Sequence, residues 1–318
     1  MKRGLCLIAI LIFATLSLPA HAVTLRYTLK KGAEITYREQ VASASRTSGL
    51  GDEKFEITSR LERTYRLRVV EVSPDGEMTI EQEVLSGSLK VSDGEEEHQF
   101  PLPKAGVRFK LSPLGKVIFV AAIGPEAAPT KAAEGEESDD QEAAAMAALA
   151  PGAIGSLGST QLDFLSVGVF LPLPEKEVKA GDVWEEEISL SAEALSSLTI
   201  GESQPSSLKV KSELVELTER GGKKCARIKV SYELPMRSGE SLSEEEVKVT
   251  MSGRIAGEAE LLFDYQNGCT PTAQGSFQMM TKISTEFPPE MAEEIPSELS
   301  GDTTYALKAN VKTALVTQ

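Results

Sequence analysis

From Ala226 to Leu234 the chain sets Ala226, Ile228, Val230, Tyr232 and Leu234 against Arg227, Lys229, Ser231 and Glu233. A period of two gives an extended strand one oily face and one wet face. A helix of 3.6 residues per turn would smear the same residues around its circumference. Leu25, Tyr27 and Leu29 alternate in the same way, as do Tyr65, Leu67 and Val69, and Tyr305, Leu307, Ala309 and Val311. Further strands are predicted over 182–190, 207–217, 246–265 and 273–285. Ser73-Pro74-Asp75-Gly76, Gly221-Gly222 and Asn267-Gly268 are turns, because Pro presets one dihedral and Gly or Asn accepts a positive φ. Residues 42–54, rich in Ser, Thr and Gly, read as a loose hairpin tip. The pattern predicts a mainly β fold built as antiparallel, strongly twisted meander sheets.

Two stretches read as copies of one opening. Leu29-Lys30-Lys31-Gly32 leads through Ile35 and Tyr37 into an alternating run, and Val178-Lys179-Ala180-Gly181 leads through Val183 and the only tryptophan, Trp184, into another. Gly32, Gly181 and Trp184 are therefore expected at strand starts, with Trp184 plugging a core and Asp182 capping its turn. Downstream, Tyr65–Val72 matches Leu208–Leu217, and each run then turns and returns on an alternating strand. The expectation is two related β units, 23–123 and 161–318, arranged as duplicated half-barrels or a sandwich. Between them, 124–160 is expected to be an acidic, Ala-rich, disordered linker, in which Asp139–Glu142 can cap at most a transient helix to Leu149. Ser159-Thr160 can cap a second short helix over 161–168, and a helical turn is expected at 290–295. The linker acids lack the spaced Asp/Asn ligands and Gly of a calcium loop and read as a solvated charge run.

Lys2 and Arg3, an apolar run from Leu5 to Leu18 and Ala20-His21-Ala22 form a secretory leader with cleavage after Ala22. The apolar run is shorter than a bilayer-spanning helix needs, and nothing after it is apolar enough to span. The mature chain is thus expected in the periplasm or outside the cell. The full chain's formal charge of −15, which becomes −15 − 2 = −17 when Lys2 and Arg3 leave with the leader, repels nucleic acid and anionic headgroups, keeps an exported protein soluble and leaves cations or basic proteins as partners. An oxidising compartment invites a disulfide between Cys225 and Cys269, the two cysteines beyond the leader. Both fall at the start of strands with one strand between them, which sets them about 9.6 Å apart. A bridge tolerates about 7 Å, so the spacing weighs against a bond unless curvature or a bulge closes the gap.

The secretory leader, Leu25-Arg26-Tyr27-Thr28-Leu29-Lys30-Lys31-Gly32, the centre Leu173-Pro174 to Val178 and Gly181-Asp182-Val183-Trp184, and the late run Gly257, Ala259, Leu261, Phe263-Asp264-Tyr265 and Gly268 resemble a family of exported bacterial proteins known only as a domain of unknown function. The resemblance covers most of the mature chain except the Ala/acid insert at 126–158. It implies a β-rich exported fold and brings no activity and no catalytic residue. At the level of fold, half-barrel lipoprotein carriers of the envelope are similar.

His98 is the only histidine beyond the leader. Histidine triads and multi-histidine metal sites are excluded, and its Glu95-Glu96-Glu97 setting makes it a solvated loop residue. No Gly-x-Ser-x-Gly, P-loop or dinucleotide fingerprint stands in its strand–turn–helix setting. Glu185–Glu187 and Glu244–Glu246 read as wet edges and turns rather than as paired catalytic carboxylates. With aromatic residues at 5%, sugar-stacking platforms are scarce. The chain is expected to be no enzyme and to need no cofactor. Two roles remain: a binding module for an apolar or lipid-like molecule, and a structural component that engages another envelope protein.

Overall fold

The computed structural model describes residues 22–49, 51–102, 104, 106–123, 170–190, 202–241, 248–286 and 301–316. The leader before Ala22, the 124–160 linker and the helices expected at 139–149, 161–168 and 290–295 lie outside the described residues. The described residues contain no helix. Strands run β1 (Glu34–Gly49), β2 (Gly51–Val72), β3 (Met78–Ser92), β4 (Glu97–Pro101), β5 (Gly106–Leu111), β6 (Val117–Ile123), β7 (Val183–Leu190), β8 (Glu202–Ser203), β9 (Ser206–Arg220), β10 (Lys223–Ser241), β11 (Lys248–Asp264), β12 (Cys269–Glu286) and β13 (Gly301–Leu315).

The fold is mainly β and antiparallel, but it holds one sheet where two were expected. The order is β6-β5-β3-β2-β1-β13-β12-β11-β10-β9-β7, with short β4 and β8 added on β3 and β10. The two meanders fuse because the first and last strands pair, from Tyr37 opposite Leu315 to Ser48 opposite Thr304. That pairing satisfies two edges that separate sheets would leave exposed. The 42–54 stretch is not a loose tip either. β1 and β2 continue through it to Gly49 and Gly51, since their Ser and Thr residues still complete the ladder.

The oily face points inward. Inner residues of β2, β3 and β5 share one core with those of β9, β10 and β11, although these strands stand far apart in the sheet order. The sheet therefore rolls back on itself. Leu214, Ile228 and Phe263 are wholly enclosed, each contributing roughly 1.5–3 kcal/mol of hydrophobic stabilisation. Residues 25–29, expected as a strand, form no ladder. Val23 makes a single bridge to Val178, and Leu25, Tyr27 and Leu29 are buried in the core.

Local geometry recurs in the two halves. Gly32 donates to the Val69 carbonyl (2.8 Å) and Val69 donates to Ala33 (2.9 Å); Gly181 donates to Leu214 (2.7 Å) and Leu214 donates to Asp182 (3.0 Å). Both glycines have positive φ, +82° and +89°. Directly after these contacts β2 slips register on β3 between Val69 and Glu71. The same slip occurs on β9, where Leu214 and Glu216 face successive residues of β10.

Candidate binding site: the plugged end and the inner face

Two straps close one end of the rolled sheet. The first runs over 22–33 and the second over 170–182, in which Leu171, Pro172, Leu173 and Pro174 are all buried. Backbone hydrogen bonds seat them on the β5–β6 turn, from Tyr27 to Pro113 (2.9 Å) and from Leu173 to Leu114 (2.8 Å). Arg26 ties the straps together, donating to Pro174 (2.7 Å) and Glu175 (2.5 Å) carbonyls. The buried Tyr27 hydroxyl accepts from the Leu171 amide at 2.8 Å. Its ring meets Phe170 and Phe263 edge-on at 5.5 and 5.1 Å. Burial pushes the Tyr27 phenol far above its ordinary range, so it stays neutral.

Glycine makes this approach possible. A Cβ at Gly115 would overlap the Leu171 carbonyl, and one at Gly268 would overlap the Thr28 amide. The expected strand-start residues sit here too. Gly32 and Gly181 stand just before β1 and β7. Asp182 accepts from the Lys179 amide at 2.9 Å, and Trp184, half-buried against the core, donates to Pro172 at 3.0 Å.

Further along the inner face the lining turns polar. Glu39 and Arg63, opposite each other on β1 and β2, form a 2.8 Å ion pair and are both almost wholly buried. The Arg63 guanidinium lies 5.3 Å from the Tyr65 ring centre. Ser43 and Ser59 share a buried hydrogen bond of 2.7 Å. The hydroxyls of Thr313, Thr281 and Ser212 are buried without a hydrogen-bond partner. Sequence reasoning missed this group. Its signal was phase: Glu39 stands in step with Tyr37 and Val41, and Arg63 with Leu61 and Tyr65.

Beside and beyond this polar band the inner face is oily but less covered. Tyr232, Phe277, Met279, Ile283 and Tyr305 are half-buried, and Phe55 is 51% exposed. Small residues stand between the large ones. Gly257 lies opposite both Tyr232 and Phe277, and Ala309 lies opposite Phe277. A Cβ at Gly257 would meet the Tyr232 ring.

Cys225 and Cys269 are buried free thiols on either side of Asp264, which faces both across β11. Burial and then the Asp264 carboxylate push the Cys269 thiol up to about 11 and raise Cys225 in the same direction. Neutral, enclosed thiols are poor nucleophiles. Asp264 itself accepts from the Gln266 (3.1 Å) and Asn267 (3.0 Å) amides and shapes the β11–β12 turn. His98 is exposed on β4, 3.5 Å from Glu96. Among the described residues no cluster of His, Cys, Asp or Glu could hold a metal ion. A groove across β7 and β9–β13 is lined by exposed charges, among them Glu185, Glu187, Lys209, Lys211, Glu233 and Glu258, and also by Val210, Tyr232, Phe277 and Ala309.

No family model and no curated protein matches the chain. Among solved structures, a lipovitellin studied for its lipid–protein interactions aligns with 91% of this chain at 11% identity and a TM-score of 0.42. The chain spans 25% of that lipovitellin chain. An outer membrane channel from Pseudomonas putida F1 aligns with 91% of this chain and 98% of its own, at 10% identity and a TM-score of 0.25. DynF, from the dynemicin biosynthesis pathway of Micromonospora chersina, aligns with 92% and 85%, at 8% identity and 0.21. Likenesses this distant carry no argument, and the site stands on its own geometry.

Proposed function

We propose that the protein is an exported, non-enzymatic binding module of the bacterial envelope whose inner sheet face holds an apolar or lipid-like molecule. One observation carries the reading: the oily face is fully enclosed at the strapped end, but its continuation over β10, β12 and β13 is only half-covered, with Tyr232, Phe277, Met279 and Tyr305 interleaved with Gly257 and Ala309. A half-covered oily floor of this kind gains most from an apolar guest.

The leader Lys2–Ala22 supports export. The test is to express the full chain in a host that processes the leader, extract the purified protein with organic solvent and identify what it carries by mass spectrometry. A stoichiometric amphiphile, lost when Phe277 or Met279 is replaced by Glu, is the expected result. A protein that emerges empty, and that leaves an environment-sensitive fatty-acid probe dark, would sink the proposal in favour of the purely structural role.

A further inference from the structure

Cross-strand pairing sets the inner side chains in rows. One row runs Ala273, Thr313, Glu39, Arg63 across β12, β13, β1 and β2. A second row, Phe277, Ala309, Ser43, Ser59, lies about 13 Å further along at 3.3–3.4 Å per residue. The half-covered oily floor thus runs straight into the hydroxyls of the polar band. The hydrogen-bonding capacity of those hydroxyls is only partly spent. Ser45 donates to the Ile57 carbonyl at 3.3 Å, but the one bond between Ser43 and Ser59 uses one of their two hydrogens. Thr313 is 3% exposed and its hydroxyl has no partner. A buried hydroxyl without a bond is unfavourable, so a guest oxygen that supplies one is favoured there.

We infer, resting on the binding role proposed above, that the polar band seats the head of the bound amphiphile and that this head is uncharged, with hydroxyl or ester oxygens. Charge decides the class. Among the described residues Arg63 is the only buried cationic side chain, and it is already paired with Glu39 at 2.8 Å. A carboxylate or phosphate head would compete with Glu39 for one guanidinium and leave two buried anions sharing it. A cationic head would set up the same conflict with Arg63. An alcohol or ester brings no net charge and needs only hydrogen-bond partners, which Thr313, Ser43 and Ser59 supply.

The rows also direct the tail. Across the sheet from Ser43 come Ala309 and Phe277, then Gly257 and Tyr232, so a chain leaving the band meets the oily floor at once. Thr281 is the rival position for the head, because its hydroxyl too is buried without a partner. It stands between Met279 and Ile283 on the same face, however, and offers one bond among oily neighbours. The band offers several together.

Two ligands of one chain length test this, 1-monodecanoylglycerol and decanoate, each below its aggregation threshold at about pH 8, where the acid is ionised. Displacement of an environment-sensitive fatty-acid probe from the full mature chain reads both affinities. The glyceride should bind about tenfold tighter or more. Thr313→Val, similar in shape but without the hydroxyl, should weaken the glyceride about fivefold and leave decanoate unchanged. Glu39→Gln removes the carboxylate beside the guanidinium and should bring decanoate level with the glyceride or ahead of it. Urea midpoints check that the variants fold, and if Glu39→Gln does not, Thr313→Val decides alone. Decanoate bound by the parent as tightly as the glyceride overturns the inference and leaves the binding role standing. So does a folded Glu39→Gln variant with an unchanged preference, or Thr313→Val with undiminished glyceride binding. A protein that takes up neither the probe nor either ligand loses the binding role, and this inference falls with it.

Discussion

The strapped end and the polar band are neighbours on one inner face, yet they are enclosed by opposite means. At the strapped end two chain segments press on turns that tolerate no side chain, and Tyr27, Phe170 and Phe263 fill what remains. In the band a carboxylate and a guanidinium are shut away together. Close packing of apolar groups stabilises outright. A buried ion pair recovers little beyond its own desolvation, though losing one partner is severe. The strapped end should thus behave as the fastener of the fold. The band should behave as a matched pair that matters chiefly when it is broken.

The sharpest way to break that contrast is at Gly115. Its φ is +81°, and a Cβ would overlap both the Leu171 carbonyl and the Tyr27 ring. Gly115→Ala combines backbone strain with overpacking and should cost about 4 kcal/mol, read as a lowered midpoint in urea unfolding. Gly32→Ala is the control. It shares the positive φ but has nothing within 4 Å of the new carbon, so about 1 kcal/mol is expected. Equal losses would mean that the close approach of the second strap is unimportant.

Arg63→Met comes next, with an expected loss of about 3 kcal/mol because the buried Glu39 carboxylate loses its guanidinium partner. The double variant Glu39→Leu/Arg63→Met should recover most of it or exceed the parent. A double variant as unstable as the single one would make the band a stabilising element in its own right and erase its difference from the straps.

The third test uses alkali. The Cys269 thiol titrates at about 11 in the fold against 9.0 for a free thiol. The folded state therefore resists the charged form, and the contribution is intact below pH 9. It is lost as pH rises from 9 towards 11, by about 2–3 kcal/mol. Cys269→Ser, whose hydroxyl does not titrate there, should flatten that decline. An unchanged slope would place the alkaline loss elsewhere, with the buried tyrosines of the strapped end as the next groups to replace.

Much of this architecture could be read from residue order, for a physical reason. Alternation is local, so β9, β10 and β12 and their oily sides were visible in Leu208–Leu214, Ala226–Leu234 and Ala273–Ile283. Positive-φ turns such as Asn267-Gly268 declare themselves by residue type. The failures were non-local. Leu25, Tyr27 and Leu29 alternate like any strand, and only the β5–β6 turn, some 90 residues on, determines that they lie as a strap. The pairing of β1 with β13 sets Tyr37 opposite Leu315, a separation that no window of sequence contains. Two expected sheets became one for that reason. The Glu39–Arg63 pair was legible in principle, since each charge breaks the apolar phase of its own strand, but the register that makes them partners was not.

The mildest perturbation concerns the place where the strapped end meets the starts of β6 and β7. Lys116 and Glu186 join the starts of β6 and β7, yet both side chains remain substantially in water. An ion pair so placed is screened and costs side-chain entropy, and is worth at most about 0.5–1 kcal/mol. Lys116→Ala should leave the urea midpoint nearly unmoved, because the Leu173–Leu114 and Tyr27–Pro113 backbone bonds hold the straps without it. Raising salt should shrink even that small effect. If Lys116→Ala instead matched Gly115→Ala, the fastener would be electrostatic, and the division of labour between packed straps and buried charges would have to be redrawn around the edges of the sheet.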